Sequence, residues 1–205
     1  MNDIGIPPLW FRLPPGFHDI APSDRSALDA VADALGSPEA GQQLTQLMDH
    51  LDQLAEHHVV RTSIGLHPEG PAGLCTSLFA LTVRRAADTN PRVTVARTSL
   101  AIARSALWTS STRRFIELPS ALPCSLVAGI ISSPTSAQGL FQARVSMAHP
   151  AGRHVLVLDL TSTSVEHGDA YTDIIEAIAH TVSFSDPEPR PSGGPNTSRI
   201  LELLL

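Results

Sequence analysis

Stretches rich in Val, Ile, Thr, Leu and Phe occupy the middle and the later part of the chain, and they predict strands. Residues 59–67 and 73–85 form one such pair, and the turn signal HPEGP between them predicts an antiparallel hairpin. The segment HVLVLDL is apolar almost throughout, which is typical of a central strand covered on both faces. The remaining predicted strands lie at 114–118, 124–132, 140–149 and 153–162.

Apolar residues at helical spacing predict four helices. The first two lie within residues 24–58, and a capping serine precedes each of them. The third is predicted over 92–107, with apolar positions at Val93, Ala96, Leu100, Ala103 and Leu107. The fourth opens at Gly168 and places on one face Tyr171, Ile174, Ile175, Ile178 and Val182. Hairpins combined with helices predict an α+β fold, in which one antiparallel sheet has helices packed on it.

The N-terminal stretch LWFRLPPGFHDI concentrates aromatic residues in a chain with only 4% of them. Residues 8–13 predict a short strand, which Pro14–Pro15–Gly16 would end because proline has no N–H to donate. Trp10 and Phe11 are adjacent, so on a strand they point to opposite faces. We therefore interpret the stretch as the first strand of the sheet and not as an aromatic recognition motif.

The pattern predicts a single domain over residues 1–186. Residues 187–205 are predicted to be a Pro- and Gly-rich linker followed by the short apolar segment RILELLL. Seven residues do not hold a helix alone in water, so this segment either docks on the domain or waits for a partner.

The chain contains no lysine, since all 14 of its basic residues are arginine. A Walker-type phosphate loop and Schiff-base chemistry both require lysine, so these mechanisms are excluded. Arginine-only usage with frequent Ala and Pro favours a high-GC, actinobacterial genome. No stretch reaches the ~20 apolar residues of a membrane span, and the N-terminus lacks the regions of a secretory signal, so we expect a cytoplasmic protein.

The net charge of −6 is unevenly distributed along the chain. Residues 84–114 contain seven arginines against one acid, Asp88. This segment either attracts an acidic partner or a phosphate, or pairs with the acidic N-terminal helices of the same chain. No nucleic-acid-binding module is recognisable, so we expect a protein partner and no nucleic acid. The candidate partner-binding residues are Arg97, Arg104, Arg113, Arg114, Ile200, Leu201 and Leu203.

Few groups are candidates for catalysis or metal binding. His50 and His57, in the polar stretch 49–58, lie two helical turns apart, which is too far for chelation of one ion. Cys124 follows a proline at the start of an apolar strand and is expected to be a buried free thiol. Asp159 lies inside the apolar HVLVLDL strand, where a carboxylate needs an arginine or backbone donors. We expect no catalytic, cofactor-binding or metal-binding residues.

The segment GLFQARVSMAHPAGRHVLVLDLTSTSVEHGDAYTDIIEAIAHTVSFSDP resembles the C-terminal part of the Mog1/PsbP-like family of α/β/α sandwiches, which includes LpqN-like proteins. LPPGF at 13–17 is similar to the turn that follows the first strand in that family. The resemblance covers most of residues 8–186 as a pattern, and it implies a binding or assembly protein without catalytic residues. The chain departs from the family in its long predicted helices over 24–58 and in its lack of a lipoprotein signal.

Three functions are consistent with these observations. The first is a non-enzymatic protein-interaction or assembly domain. The second is an accessory protein or chaperone of an actinobacterial type VII-like secretion system. The third is a small anionic-ligand binder or an enzyme that uses a pocket near Arg97, Arg104 and Asp159.

Overall fold

A computed structural model of the chain describes residues 7–20, 59–69, 73–133 and 136–185, together with isolated positions between 24 and 49. The two helices predicted within 24–58 lie mostly outside the described residues. Thr45 is one of the helical positions there, and its hydroxyl donates to the Gly41 carbonyl at 3.0 Å. The predicted linker and tail, residues 187–205, also lie outside the described residues.

In the described part of the chain, seven strands form one sheet in which every neighbouring pair is antiparallel. Their spatial order is β1-β2-β3-β7-β6-β5-β4. The strands are β1 Phe17–Asp19, β2 Val59–Glu69, β3 Gly73–Arg85, β4 Trp108–Phe115, β5 Cys124–Ser133, β6 Ser136–Ala148 and β7 His154–Ser162. Within the described residues, two α-helices pack on this sheet, α1 Pro91–Ala103 and α2 Gly168–His180. The α+β prediction is confirmed. The segment HVLVLDL begins β7, which is central because it is fourth in the spatial order of the sheet.

The main hydrophobic core lies between α2 and one face of the sheet. Alternate residues of the central strands point to this face, as the period of two in a strand requires, and Phe79, Val145 and Leu158 are almost completely buried there. The predicted apolar face of α2 contributes Tyr171, Ile175 and Ile178. Burial of each large apolar side chain contributes roughly 1.5–3 kcal/mol relative to exposure, so this layer is the main source of stability.

The opposite face of the sheet is more polar, and α1 covers part of it. The residues of the central strands that point to this side include Gln142 and Ser146, both fully buried. The buried positions of α1 are correspondingly small or polar: Thr94, Val95 and Ser99. The predicted apolar stripe of this helix is wrong, since Leu100 is 37% exposed and Leu107, which lies beyond the helix, is 53% exposed. This face of the sheet mixes polar residues with buried apolar ones such as Val127, and the helix face that packs on it is mixed in the same way.

Asn90 determines where α1 begins. Its side-chain oxygen accepts hydrogen bonds from the backbone N–H groups of Arg92 and Val93, at 3.0 and 3.4 Å, and Pro91 occupies the first turn. The helix ends at Ala103, earlier than the predicted limit of 107.

The N-terminal stretch differs from its prediction. Residues 8–13 are not a strand, although Trp10 forms an isolated bridge with Ser183 through two backbone hydrogen bonds of 2.9 Å. The first strand is β1, which follows the Pro-Pro-Gly turn where Gly16 adopts a φ of +90°. Phe11 packs on Phe79 with 5.6 Å between ring centroids. Trp10 and Phe11 are both half-buried, so they do not form an exposed aromatic surface.

Two other strand predictions need correction. The strand predicted at 114–118 lies instead at Trp108–Phe115, and the side chains of Ile116 and Leu118 then enter the core from the segment after it. These two residues are apolar because they are buried in the core, and their apolar character does not indicate a strand. The terminal strand predicted after α2 is represented by the Ser183 bridge.

Candidate functional site

A cavity of about 480 Å³ lies between α1 and strands β3, β6 and β7. It occupies the polar face of the sheet, opposite the core that α2 covers. Its charged lining residues are Arg84, Arg85, Asp88, Arg97, Arg144 and Asp159. Its apolar lining residues are Ala86, Ala87, Ala101, Ile102, Val155 and Val157, and its uncharged polar lining residues are Thr82, Thr94, Thr98 and Ser105.

The strand register explains how residues distant in sequence meet in this cavity. Asp159 of β7 lies directly opposite Arg144 of β6. On the other side of β7, Val155 lies opposite Arg84 of β3. Residues two apart on a strand point to the same face, so β7 presents Val155, Val157 and Asp159 in line along the cavity.

Asp159 is 5% exposed, and three side chains satisfy its carboxylate. Oδ2 accepts a hydrogen bond from Nε of Arg144 at 2.5 Å. Oδ1 accepts from Nε2 of Gln142 at 3.0 Å and from the Thr161 hydroxyl at 3.1 Å. This carboxylate was predicted to need an arginine or backbone donors, and in the structure its partner is an arginine, Arg144.

The same contacts hold Arg144 in one orientation. Its side chain is 20% exposed, and the ion pair uses Nε. In the part of the chain that the structure describes, the two terminal nitrogens of Arg144 have no hydrogen-bond acceptor. A guanidinium fixed through Nε keeps its terminal N–H groups as donors for a bound anion.

The outer part of the cavity carries the other arginines. Arg97 on α1 lies 3.7 Å from Asp88, and its side chain is 71% exposed. Arg84 and Arg85 are exposed and form no ion pair within the described ranges. Four arginines and two aspartates are among the residues that line the cavity, an excess of two formal positive charges around it, and Arg84 and Arg85 leave β3 on opposite faces. A positive cavity with partly buried walls concentrates anions.

The structure brings together some of the predicted site residues and separates others. Arg97 and Asp159 line the same cavity, as the ligand-binding hypothesis expected, whereas Arg104 is the exposed C-cap of α1 and does not line it. Arg113 and Arg114 lie on β4, away from the cavity. The tail residues Ile200, Leu201 and Leu203 lie outside the described residues.

Two arginines of the Arg-rich segment form ion pairs within the described residues, whereas the alternative of pairing with the N-terminal helices lies mostly outside them. Arg97 pairs with Asp88 inside the segment, and both terminal nitrogens of Arg114 bind the carboxylate of Glu176 on α2. The hydrogen bond with Glu176 raises the pKa of Arg114.

Sequence reasoning missed Arg144, the innermost cation of the cavity. A signal for it was present, because Arg144 is the one charged residue between Leu140 and Ala148, as Asp159 is in its own strand. Two opposite charges in neighbouring apolar strands favour a cross-strand pair. The register that makes them direct neighbours depends on the tertiary structure.

Other chemistry-bearing groups give no second site. Neither cysteine forms a disulfide and both are buried. Burial, aided by the Glu176 charge, raises the pKa of the Cys124 thiol to about 12. Among the residues that the structure describes, no group of three His, Cys, Asp or Glu side chains is placed to bind a metal ion. The predicted histidine-rich stretch at 49–58 lies almost entirely outside them. No helix in the described ranges has the length and hydropathy needed to cross a membrane.

Comparison with protein-family models found no match, and comparison with curated protein sequences found none either. Among solved structures, the chain is similar to LpqN, a protein involved in cell envelope biogenesis of Mycobacterium tuberculosis. This similarity has a TM-score of 0.48 and 12% identity, and it covers 89% of this chain and 86% of that one. A second similar structure is PA94, a protein of unknown function from Pseudomonas aeruginosa. Its TM-score is 0.38 with 19% identity, over 64% of this chain and 84% of that one. These values assign neither a family nor a function.

Proposed function

We propose that this protein is a non-enzymatic binding protein and that the cavity between α1 and the sheet holds a small anionic ligand. The observation that carries the proposal is the fixed position of Arg144. Asp159 binds Nε of this guanidinium, and the terminal donors remain for a ligand. Arg84, Arg85 and Arg97 surround the same cavity.

Arginine suits this role for geometric reasons. A guanidinium binds carboxylate or phosphate through two parallel hydrogen bonds, and such charge-assisted bonds are stronger than neutral ones. A volume of about 480 Å³ lies within the usual range for small-molecule sites. The excess of two positive charges selects anions over neutral or cationic molecules.

The lining favours binding over acid–base or nucleophilic catalysis. The described lining residues include no histidine and no cysteine. Its two carboxylates are both engaged, Asp159 with Arg144 and Asp88 with Arg97. A carboxylate that already neutralises a cation is a poor general base, because protonation would break the ion pair.

Titration calorimetry at low ionic strength with inorganic phosphate and acetate tests the proposal. We expect saturable binding to the wild-type chain that weakens at least tenfold in Arg144→Gln and in Arg84→Gln. Arg84→Gln changes an exposed side chain, so it separates lost binding from lost folding. Arg104→Gln is the matched control, since this exposed arginine lies outside the cavity. Absence of saturable binding, or an equal loss in Arg104→Gln, would contradict the proposal.

A second candidate function is docking of another protein on β4, in line with the predicted interaction role. This strand is the last in the described sheet, and Phe115 is 67% exposed beside the exposed Arg113. An edge strand offers unpaired backbone groups to an added strand. Pull-down with wild type and Phe115→Ser from a native extract tests it, and identical captured proteins would refute it. The proposed accessory role in secretion stays a prediction.

A further inference from the structure

Thr82 places a hydroxyl group on the strand wall of the cavity. It lies on β3 directly opposite Val157 of β7, and it lines the cavity although only 7% of the residue is exposed. Its hydroxyl forms no hydrogen bond with any residue that the structure describes. A buried hydroxyl normally has a partner, because burial removes the hydrogen bonds that water provides. The Thr82 hydroxyl is therefore available to a molecule bound in the cavity.

Thr82 lies near the ion pair of Asp159 and Arg144. Asp159 is two residues from Val157 on β7, so both point to the cavity face of the sheet. Thr82 and Asp159 are thus diagonal neighbours on an antiparallel pair, a relation that separates two residues by about 7–8 Å. A tetrahedral oxyanion fits between a guanidinium bound to Asp159 and the Thr82 hydroxyl, because charge-assisted hydrogen bonds are about 2.5–2.9 Å long on each side.

The helix wall of the cavity supplies hydroxyl groups as well. Thr94 and Thr98 are four residues apart on α1, so they lie on one side of the helix, and both line the cavity. The Thr94 hydroxyl donates to the Asp88 carbonyl at 3.1 Å. The Thr98 hydroxyl forms no hydrogen bond within the described ranges. Both walls therefore offer a hydroxyl donor in addition to the arginines.

This set of donors distinguishes phosphate from carboxylate. The two terminal nitrogens of Arg144 can bind two oxygens of either anion through parallel hydrogen bonds. A carboxylate has no further oxygen, whereas a phosphate monoester has a third one for a hydroxyl donor. The charge of a phosphate monoester is about −1.5 to −2 at neutral pH, which matches the excess of two formal positive charges around the cavity.

We propose that the ligand is a small phosphate monoester, bound by Arg144 and by the hydroxyl of Thr82 together. Arg144 binds two of the phosphate oxygens, and Thr82 donates to the third. Arg84 follows Thr82 by two residues on the same face of β3, and its exposed guanidinium offsets the second negative charge. The esterified part of the ligand occupies the rest of the cavity. This inference rests on the proposed anion-binding function, and it adds the chemical class of the anion.

Titration calorimetry on the full chain with three probes that share a benzene ring tests the inference. Phenyl phosphate is the phosphate monoester, and benzoate is the matched carboxylate. Phthalate carries two carboxylates and therefore controls for the charge of the phosphate. We expect phenyl phosphate to bind about tenfold more tightly than either carboxylate, because one further hydrogen bond to a charged group is formed.

Thr82→Val is the decisive variant. Valine keeps the size of the side chain and suits a strand, and it replaces a hydroxyl that has no partner among the described residues, so the fold should be retained. We expect this variant to weaken phenyl phosphate about tenfold and to leave benzoate affinity unchanged. Arg144→Gln should weaken all three probes. Thr109→Val is the matched control, since this threonine lies on β4 away from the cavity, and it should weaken none.

The two proposals fail in different ways. If phthalate binds as tightly as phenyl phosphate, the phosphate inference is wrong and anion binding at Arg144 stands. The same holds if Thr82→Val leaves phenyl phosphate affinity unchanged, or if it weakens benzoate as much as phenyl phosphate. If neither phenyl phosphate nor any carboxylate binds, both proposals are wrong.

Discussion

Replacement of Asp159 by asparagine is the most informative test of the buried polar network. Asparagine keeps the size of the side chain and one carbonyl oxygen to accept from Gln142 and Thr161. The carboxylate that Arg144 binds through Nε is lost. An inner cation of a cavity that already has excess positive charge is then left without its counterion.

The magnitude follows from burial. Hydrogen bonds to charged groups contribute about 1.5–3 kcal/mol, and breaking a fully buried ion pair costs about 3–5 kcal/mol. The side chain of Asp159 is 8% exposed but that of Arg144 is 20% exposed, so solvent reaches part of the pair. We therefore expect Asp159→Asn to lower the free energy of unfolding by about 2–3 kcal/mol.

Equilibrium urea unfolding, followed by circular dichroism, measures this loss. Asp88→Asn is the matched control, because its partner Arg97 is 71% exposed and such pairs contribute about 0.2–1 kcal/mol. A double-mutant cycle of Asp159→Asn with Arg144→Gln should give a coupling energy of about 1–2 kcal/mol. The reasoning is refuted if Asp159→Asn costs no more than Asp88→Asn, or if the cycle shows no coupling.

Three further predictions concern other parts of the fold. The thiols of Cys75 and Cys124 should not react with a disulfide reagent at neutral pH in the native chain, because both are buried and the pKa of Cys124 is raised to about 12. Both should react in urea, and rapid reaction of the native chain would contradict this prediction. Burial alone would raise the pKa of Asp19. Hydrogen bonds from Arg61 and Ser63 and the charge of Arg61 lower it by more, so the net pKa lies below the ordinary 3.8. The stability that this ion pair contributes is therefore present above pH 3.8 and is lost as the pH falls through the lowered pKa of the folded state. In urea unfolding, Arg61→Gln should lower the free energy of unfolding by about 0.5–1 kcal/mol at pH 7 and should converge with wild type in acid. A constant difference across pH would argue against this ion pair. Gly152→Ala should lower the unfolding free energy by about 2 kcal/mol or more, because Gly152 has a φ of +69° and a Cβ there would lie 1.9 Å from a backbone carbonyl oxygen; an unchanged thermal midpoint would refute it.

Where local pattern and tertiary environment agree, the sequence predicted the structure well. The α2 helix has apolar residues on one face, and that face packs on an apolar sheet face, so periodicity alone located it. The hairpin of β2 and β3 follows from two β-branched runs around a Pro-Gly turn. The central strand β7 was recognisable because a strand covered on both faces must be apolar on both.

Prediction failed where burial did not follow local periodicity. Ile116 and Leu118 are buried from an irregular segment, so their apolar character suggested a strand where there is none. The buried face of α1 is Thr94, Val95 and Ser99, because the sheet beneath it mixes polar and apolar residues. Helical spacing of apolar residues cannot indicate such a face.

For the candidate site, the sequence alone determined which charged residues are present. These are an excess of arginine in the middle of the chain and a carboxylate inside an apolar strand. That a buried carboxylate needs a cation follows from the cost of desolvating a charge, and this requirement could be stated before any fold was known. Only the tertiary structure decided which cation it is. Strand register places Arg144 beside Asp159 and Arg84 beside Val155, although these residues lie far apart in the chain. Register depends on pairing and packing across the whole sheet, so no local pattern contains the position of the cavity or the spacing of its charges.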